Sequence, residues 1–308
     1  MPGTLYSRQR MIALVVFATG IHMFEFLNAK EPETAPVKIE RHAIDRKFAQ
    51  ELFQEQRETL PKRLAAAEKN PNFLPFLASQ ALNVAGCASA VDPQSPEIKP
   101  HVRLAAEALT TLFVVHAQKG KKVTVPIGGK QITYEGQEID ESYLYSARWM
   151  NAFYATTIVQ DDALQKQLFA SVPDFSLSTS TSPRHRNLLV HALRGWHAGA
   201  DDTGRRFVQC IDATDPKEYD ADYHNYLLRI DVPQITVTFY CLGEKKEFAE
   251  SLVDAVQRHK EFYNSKKKLR DDVDGYFSLG LTAIAVEAQT RGLRLGVESD
   301  YLPPALLK

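Results

Sequence analysis

The segment Gly275 to Leu293, GYFSLGLTAIAVEAQTRGL, constrains the fold more than any other part of the chain. Wound as a helix, it places Phe277, Leu279, Leu281, Ile284, Ala285, Val286 and Ala288 around most of the circumference, and a helix apolar on nearly every side has to be enclosed. Its natural neighbours are other helices, and the rest of the sequence supplies them. Between Ile44 and Lys69, Phe48, Leu52 and Phe53 recur at helical spacing with charges between them, and Pro61 is expected to kink this helix or divide it in two. Phe73 to Ala90 is a second, mostly apolar helix, stopped by the prolines of VDPQSP at 91 to 96.

Val102, Ala105, Ala106, Leu109, Leu112, Phe113 and His116 make one stripe over Lys99 to Gln118, which Gly120 closes. The next segment carries the one clear strand signal: VTVPI at 123 to 127 and QITYE at 131 to 135, joined by Gly128, Gly129 and Lys130. Helical spacing resumes over Tyr143 to Gln160, Asp162 to Ala170, Arg184 to Ala198, Arg205 to Asp212, Tyr219 to Arg229 and Lys245 to Asn264. In this last segment Phe248, Leu252, Val256 and Tyr263 share a face. The segment QITVTFYCL, 234 to 242, is two-sided: its β-branched content favours a strand, its neighbours and the leading Pro233 a short buried helix. The expected fold class is therefore all-α, a multi-helix globular domain with one small β-hairpin.

A length of 308 residues with 44% hydrophobic and 24% charged residues allows a sizeable core. The net charge of −1 creates no global field towards nucleic acid or an anionic membrane, so any charged function has to be local. Cys87, Cys210 and Cys241 are odd in number and widely spaced, which argues for a reducing compartment and against a disulfide framework or a zinc site. The N-terminus departs from this picture. Arg8 and Arg10 precede Met11 to Phe24 (MIALVVFATGIHMF), the basic-then-apolar layout of a secretory signal, which is too short to cross a membrane comfortably. Glu25 interrupts the run, and cleavage after Ala29 would put bulky Leu27 at the minus-three position. A signal or anchor, an extra packed helix and an over-extended start all stay open. NAKEPETAP, 28 to 36, reads as a linker, giving an expected division into residues 1–36 and a single helical domain over 37–308.

Motifs that carry chemistry are scarce. DDVDG, 271 to 275, resembles a calcium loop only at Asp272, Asp274 and Gly275. Arg270 stands at the first ligand position and Leu281 at the twelfth, so the favoured reading has Asp271, Asp272 and Asp274 capping the N-terminus of the apolar helix. His185, His191 and His197, six residues apart, rotate round a helix instead of sharing a face, and no HExxH occurs. Cys87 lies in a small-residue apolar helix, NVAGCASA, where packing is the natural role. The basic run RHKEFYNSKKKLR, 258 to 270, suits a helix C-terminus better than a nucleic-acid contact, and IGGK in the hairpin lacks the pattern of a phosphate cradle. These readings give no catalytic, cofactor or metal residues. Two acidic stretches are more distinctive. Residues 135 to 141 (EGQEIDE) hold four acids, and 201 to 222 hold seven acids against three bases. Glu138, Asp140, Glu141, Asp215, Tyr219, Asp220, Asp222 and Tyr223 would make a recognition surface for a basic partner, since complementary potential speeds encounter and tyrosines supply contact area; a solvated acidic face is the alternative.

FAESLVDAVQRHKEFY at 248 to 263, GYFSLGLTAIAVEAQTRGL at 275 to 293 and VESDYLPPALL at 297 to 307 resemble the C-terminal end of the bacterial immunity protein 49 family. RHAIDRKFA at 41 to 49, ALTTLF at 108 to 113, VTVPIGG at 123 to 129 and RWMNAFYATTIVQDD at 148 to 162, with SVPDF after it, extend the resemblance from about residue 37 to the end. The resemblance implies a mainly α-helical, non-enzymatic cytoplasmic protein of a polymorphic toxin system, which binds the toxic domain of a cognate toxin and neutralises it. It also implies structural roles for Trp149 and Phe153 as core aromatics, for Gly275 with the helix after it, and for Tyr301 to Leu307 as a strap. Residues 1 to 36 have no counterpart in the family pattern, and an export signal there would move the protein to the periplasm or anchor it at the inner membrane. Two other classes compete: a helical hydrolase pairing a histidine such as His191 with a carboxylate, and a membrane-anchored helical adaptor.

Overall fold

The computed structural model describes residues 35–175 and 182–307. Contacts divide the chain into Met1–Ala35 and Pro36–Lys308, and every described element belongs to the second unit. The apolar run at 11 to 24, with its signal, anchor and extra-helix readings, lies outside the described residues.

In chain order the elements are β1 (Val37–Ile39), α1 (Arg46–Lys69), α2 (Leu74–Val91), α3 (Ile98–Ala117), β2 (Lys122–Ile127), β3 (Lys130–Glu135), α4 (Ser146–Val159), α5 (Asp162–Ala170), α6 (Arg184–His197), α7 (Thr203–Asp212), α8 (Ala221–Tyr226), α9 (Val232–Leu242), α10 (Phe248–Asn264), α11 (Lys267–Arg270), α12 (Leu279–Thr290) and β4 (Val297–Ser299). The fold is mainly α-helical, as the periodicity predicts. The helices pack as a series: α1 on α2, α2 on α3, α3 on α4, α4 on α12, then α12 on α9 and α9 on α10. The all-round apolar helix α12 thus sits between α4 on one side and α9 with α10 on the other. It lends Ala283 to the large core and Leu281, Ile284, Ala285 and Ala288 to a second one built with Val237, Phe248, Leu252 and Tyr301. Each large side chain buried this way contributes about 1.5–3 kcal/mol relative to exposure, which explains why no face of α12 is polar. By length and composition Pro71–Val91 could cross a membrane, but 72% of its apolar window is buried, the mark of a core helix.

Several local expectations are refined. Helix α1 runs unbroken through Pro61. Its buried residues Ala49, Phe53, Leu60 and Ala67 lie on both sides of the proline, so packing outweighs the missing backbone donor. Near it, the Gln80 amide donates to the Gln56 carbonyl (2.7 Å) and to the Thr59 hydroxyl (2.6 Å). QITVTFYCL is helical within α9, and the strand reading fails because Ile235, Val237 and Thr238 are buried among helices instead of along a sheet. The expected helices at 219 to 229 and 234 to 242 are one run, since α8 passes through a π-helical turn, Leu227–Asp231, directly into α9. Residues 141 to 143 form a separate 3-10 turn ahead of α4. The aspartates of DDVDG do not cap α12: Asp272 caps the 3-10 turn Val273–Gly275, and Ser278 caps α12 by accepting from the Leu281 amide.

The hairpin pairs Ile127 with Lys130, so only Gly128 and Gly129 form the loop, both at positive φ (59° and 78°) as a type I′ turn requires. It is docked, since the Tyr134 hydroxyl donates to the Ala67 carbonyl (2.7 Å) and the Gly128 amide donates to buried Glu107 (2.8 Å). A second, parallel pair has no counterpart among the strand signals of the sequence: β1 lies beside β4 with Val37 opposite Val297. It fastens the strap, where Tyr301, Leu302 and Leu306 are buried, and the Ser278 amide donates to the Tyr301 carbonyl (2.9 Å).

Candidate functional site

The first acidic stretch leaves β3 at Glu135 and turns at Gly136. Glu135 pairs with Lys122 (2.7 Å) and Glu138 with Lys119 (3.1 Å), both well exposed, so these ion pairs add little stability. Among the described residues neither Asp140 nor Glu141 has a lysine or arginine partner. Asp140 Oδ1 accepts from the Ser142 amide (2.9 Å), and hydrogen bonding from Ser142 holds its carboxyl below the ordinary range. The loop is clamped by Asn72, whose side chain donates to the Glu138 carbonyl (3.0 Å) and accepts from the Asp140 amide (2.8 Å).

That clamp brings the acids beside an aromatic patch that the sequence did not single out. Phe73 and Phe76 are exposed at 38% and 42%, and Tyr143 meets Phe76 edge-on at 5.6 Å. The Arg63 guanidinium lies over Phe76 (5.8 Å), and that of Arg148 over Tyr145 (4.5 Å) and Tyr143 (5.4 Å). Exposed aromatics and arginines beside uncompensated carboxylates have the composition of a binding surface. Two phenylalanines three apart at a helix start were visible in the sequence. Their exposure was not, because the helix they begin is otherwise apolar.

In the second stretch Asp202 is taken by Arg205 (3.1 Å) and Arg206 (2.9 Å). Asp215 caps a 3-10 turn by accepting from the Lys217 amide, and Asp220 stands at the N-cap of α8 with Asp222 in its first turn; both are exposed. Tyr219 and Tyr223 are half-buried, and their hydroxyls turn inward. The Tyr219 hydroxyl donates to the Ala213 carbonyl (2.7 Å) and meets His185 Nδ1 (2.9 Å), while the Tyr223 hydroxyl donates to Asp231. These tyrosines can offer ring faces to a partner, with their hydroxyls already engaged.

Asp231, the last residue of the π-helical turn, is the centre of this inner network. It accepts from His185 Nε2 (3.0 Å) and, through both oxygens, from Arg186 (3.0 and 3.2 Å). Burial opposes its ionisation, but the His185 hydrogen bond and the Arg186 charge outweigh burial and hold the carboxyl below its ordinary value. Both ring nitrogens of fully buried His185 are engaged by groups of the protein's own interior, Tyr219 and Asp231. His191, the histidine of the hydrolase reading, has its pKa lowered by burial and by Arg194, with Asp174 opposing. His197 stacks on Phe169 at 3.9 Å. Cys87, Cys210 and Cys241 are buried, and burial pushes the Cys87 and Cys241 thiols up to about 12, far from a reactive thiolate. Among the described residues no group of three or more His, Cys, Asp or Glu could hold a metal ion.

A family model described as Immunity protein 49 matches residues 92–306, a narrower span at its start than the resemblance from about residue 37. No curated protein and no solved structure matches the chain. The positions singled out by resemblance are structural: Trp149 and Phe153 are buried and stacked with ring planes 1° apart, and Gly275 is buried where a Cβ would meet the Tyr263 ring at 2.3 Å.

Proposed function

Because the chain belongs to the immunity protein 49 family, we propose that it protects its producer by binding the toxic domain of a cognate polymorphic toxin, stoichiometrically and without catalysis of its own. Inhibition results from covering or distorting the toxin's active site, across an interface on the order of 1,600 Å² with a few dominant contacts. The family match over residues 92–306 carries this reading. The surface supports it, since Asp140 and Glu141 beside Phe73, Phe76 and Tyr143 combine charge for encounter with aromatic area for affinity. We assign the toxin contact to Glu138, Asp140, Glu141, Asp215, Tyr219, Asp220, Asp222 and Tyr223. The basic complement is a cleft of the kind that holds nucleic acid, which makes a nucleic-acid-targeting toxin the favoured partner.

The test is co-expression with the toxin encoded beside this chain, together with measurement of complex formation between the purified proteins. Rescue of growth and a one-to-one complex are expected; a toxin neither bound nor neutralised overturns the proposal. Asp220→Lys combined with Asp222→Lys is expected to weaken binding about tenfold or more, mostly through slower association. Unchanged affinity and protection would remove these two acids from the interface. Action is assigned to the cytoplasm, and a mature N-terminus beginning after Ala29 would move it across the membrane.

A further inference from the structure

Behind the Asp231 network lies a cavity of about 230 Å³, with walls drawn from α2, α4, α6, α8, the π-helical turn, α9, α10, the 3-10 turn that carries Asp274 and the start of α12. One glycine lines it and another backs its wall: a Cβ on Gly280 would fall 1.9 Å from the Gln234 amide nitrogen, and one on Gly275 would run into the ring of the lining Tyr263. The π-helical turn delivers Ile230 and Asp231 to its wall, and such turns are concentrated at functional sites.

The cavity's polar needs are unmet, and they are of one kind. Nε2 of His259 is buried with no hydrogen-bond partner. Burial holds that ring neutral, with its pKa down to about 3, and its other side donates to the Gly275 backbone, so Nε2 presents a lone pair. The buried Tyr154 hydroxyl leans towards Gln234 without closing a hydrogen bond of good geometry. At the rim Asp274 has no basic partner among the described residues. The surrounding protein and the Asp272 carboxylate raise its pKa. The one cation in the wall, Arg186, is committed: Asp231 accepts from it through both oxygens, and its guanidinium lies over Tyr226 at 5.4 Å. An anion would find no free positive charge there. A donor-rich cation would meet a spare carboxylate and a bare imidazole lone pair in a wall that also holds Tyr226 and Tyr263. The volume falls below that of pockets for drug-sized ligands and suits a single side-chain-sized group.

We propose that this cavity is a receptor for one protonated basic group of side-chain size, a guanidinium or an alkylammonium, with Asp274 as its ion-pair partner and His259 Nε2 and Tyr154 as its inner hydrogen-bond partners. The site stands on these residues alone and does not depend on the immunity reading. The group has two sources, a free small amine or guanidine, or a lysine or arginine presented by a partner protein.

The purified full chain, titrated with butylguanidinium and butylammonium by isothermal calorimetry and by NMR of the tyrosine and histidine rings, tests this. Saturable binding of at least one probe with a dissociation constant of about 1 mM is expected for so few atoms. Asp274→Asn should weaken it about tenfold or more while the far-UV circular dichroism stays unchanged, and butyrate should not bind. No saturable binding of either cation, or binding that Asp274→Asn leaves unaltered, overturns the proposal. Where a toxin complex forms, competition by butylguanidinium identifies the source as a side chain of the partner, and saturable binding without competition identifies a free small molecule. Failure of the toxin experiment leaves the probe titration standing, so the two readings fail separately.

Discussion

Asp231 and Asp274 line the same cavity and live under opposite rules. Around Asp231 His185, Arg186 and Tyr223 all donate to one buried carboxylate. Tyr154 and His259 Nε2 are buried without such partners, and Asp274, at an exposed position on the rim, has no basic partner among the described residues. A satisfied buried network stiffens a fold, because each member would lose its partner if the elements moved apart. An unsatisfied one costs stability wherever it is not matched, and natural proteins tolerate that cost where a ligand supplies the match. The difference separates scaffold from site in a protein whose sequence carries no catalytic signature.

Substitutions break this comparison in order of size. Removing the hub by Asp231→Ala leaves the Arg186 guanidinium without its counter-charge and His185 Nε2 without its acceptor, and should cost about 3–5 kcal/mol in urea unfolding. A loss below about 1 kcal/mol would mean that the network does not bind α6 to the π-helical turn. Gly275→Ala should cost about 1–3 kcal/mol, because the added Cβ meets the rigid Tyr263 ring. Gly280→Ala should cost less, since the clash is with the flexible end of Gln234, which can swing aside into the cavity. Equal costs for the two would show that the Tyr263 wall is as pliable as the Gln234 one.

The histidine inside the cavity predicts a pH effect. With a folded pKa near 3 against an ordinary 6.5, His259 takes up a proton on unfolding anywhere between those values. Stability from this group is therefore complete above about pH 6.5 and falls as pH drops towards 3. His42, His116, His191 and His197, also lowered mainly by burial, act in the same direction. His259→Phe should flatten the slope of stability against pH between about 6.5 and 4 without abolishing it, measured by urea midpoints across that range; an unchanged slope would show that His259 does not carry the effect. The smallest effect is also the sharpest. Asp274→Asn should shift stability by no more than about 0.5 kcal/mol at neutral pH, in the stabilising direction, because a carboxyl whose folded pKa is raised destabilises the fold once ionised. Asp231→Asn, the same change on the same cavity, should destabilise, since Asp231 has a lowered pKa and stabilises the fold above the usual carboxyl range. Shifts of the same sign for the two would erase the distinction.

Much of the architecture was legible because helical periodicity is a local property. The stripe in α3, the Gly128–Gly129 turn and the need to enclose α12 come from residue spacing, and the structure contains all three. Readings stay open or fail where distant packing decides the matter. Pro61 is expected to kink α1 or divide it in two; it does not divide it, since residues on both sides of it are pinned in the core. QITVTFYCL by itself stands open between a strand and a short buried helix, and burial among helices selects the helix. The DDVDG aspartates looked like the cap of the apolar helix, yet a 3-10 turn intervenes and Ser278 does the capping.

The candidate site divides in the same way. Acid content at 135 to 141 and 201 to 222 is written in the sequence, and so is the resemblance that points to the family. Which acids have partners, that Tyr219 and Tyr223 turn their hydroxyls inward, and that Phe73 and Phe76 face solvent beside Asp140 became visible only in three dimensions. By itself the sequence determined a helical protein with an enclosed C-terminal helix and one hairpin, since these depend on the order of apolar and polar residues within a few turns. Only the tertiary structure decided the parallel pairing of β1 with β4, the meeting of His185 with Asp231 and the cavity behind them. Each joins residues far apart in the chain, and their approach is fixed by how whole helices bury their faces against one another, a property of the assembled core that no short stretch of sequence contains.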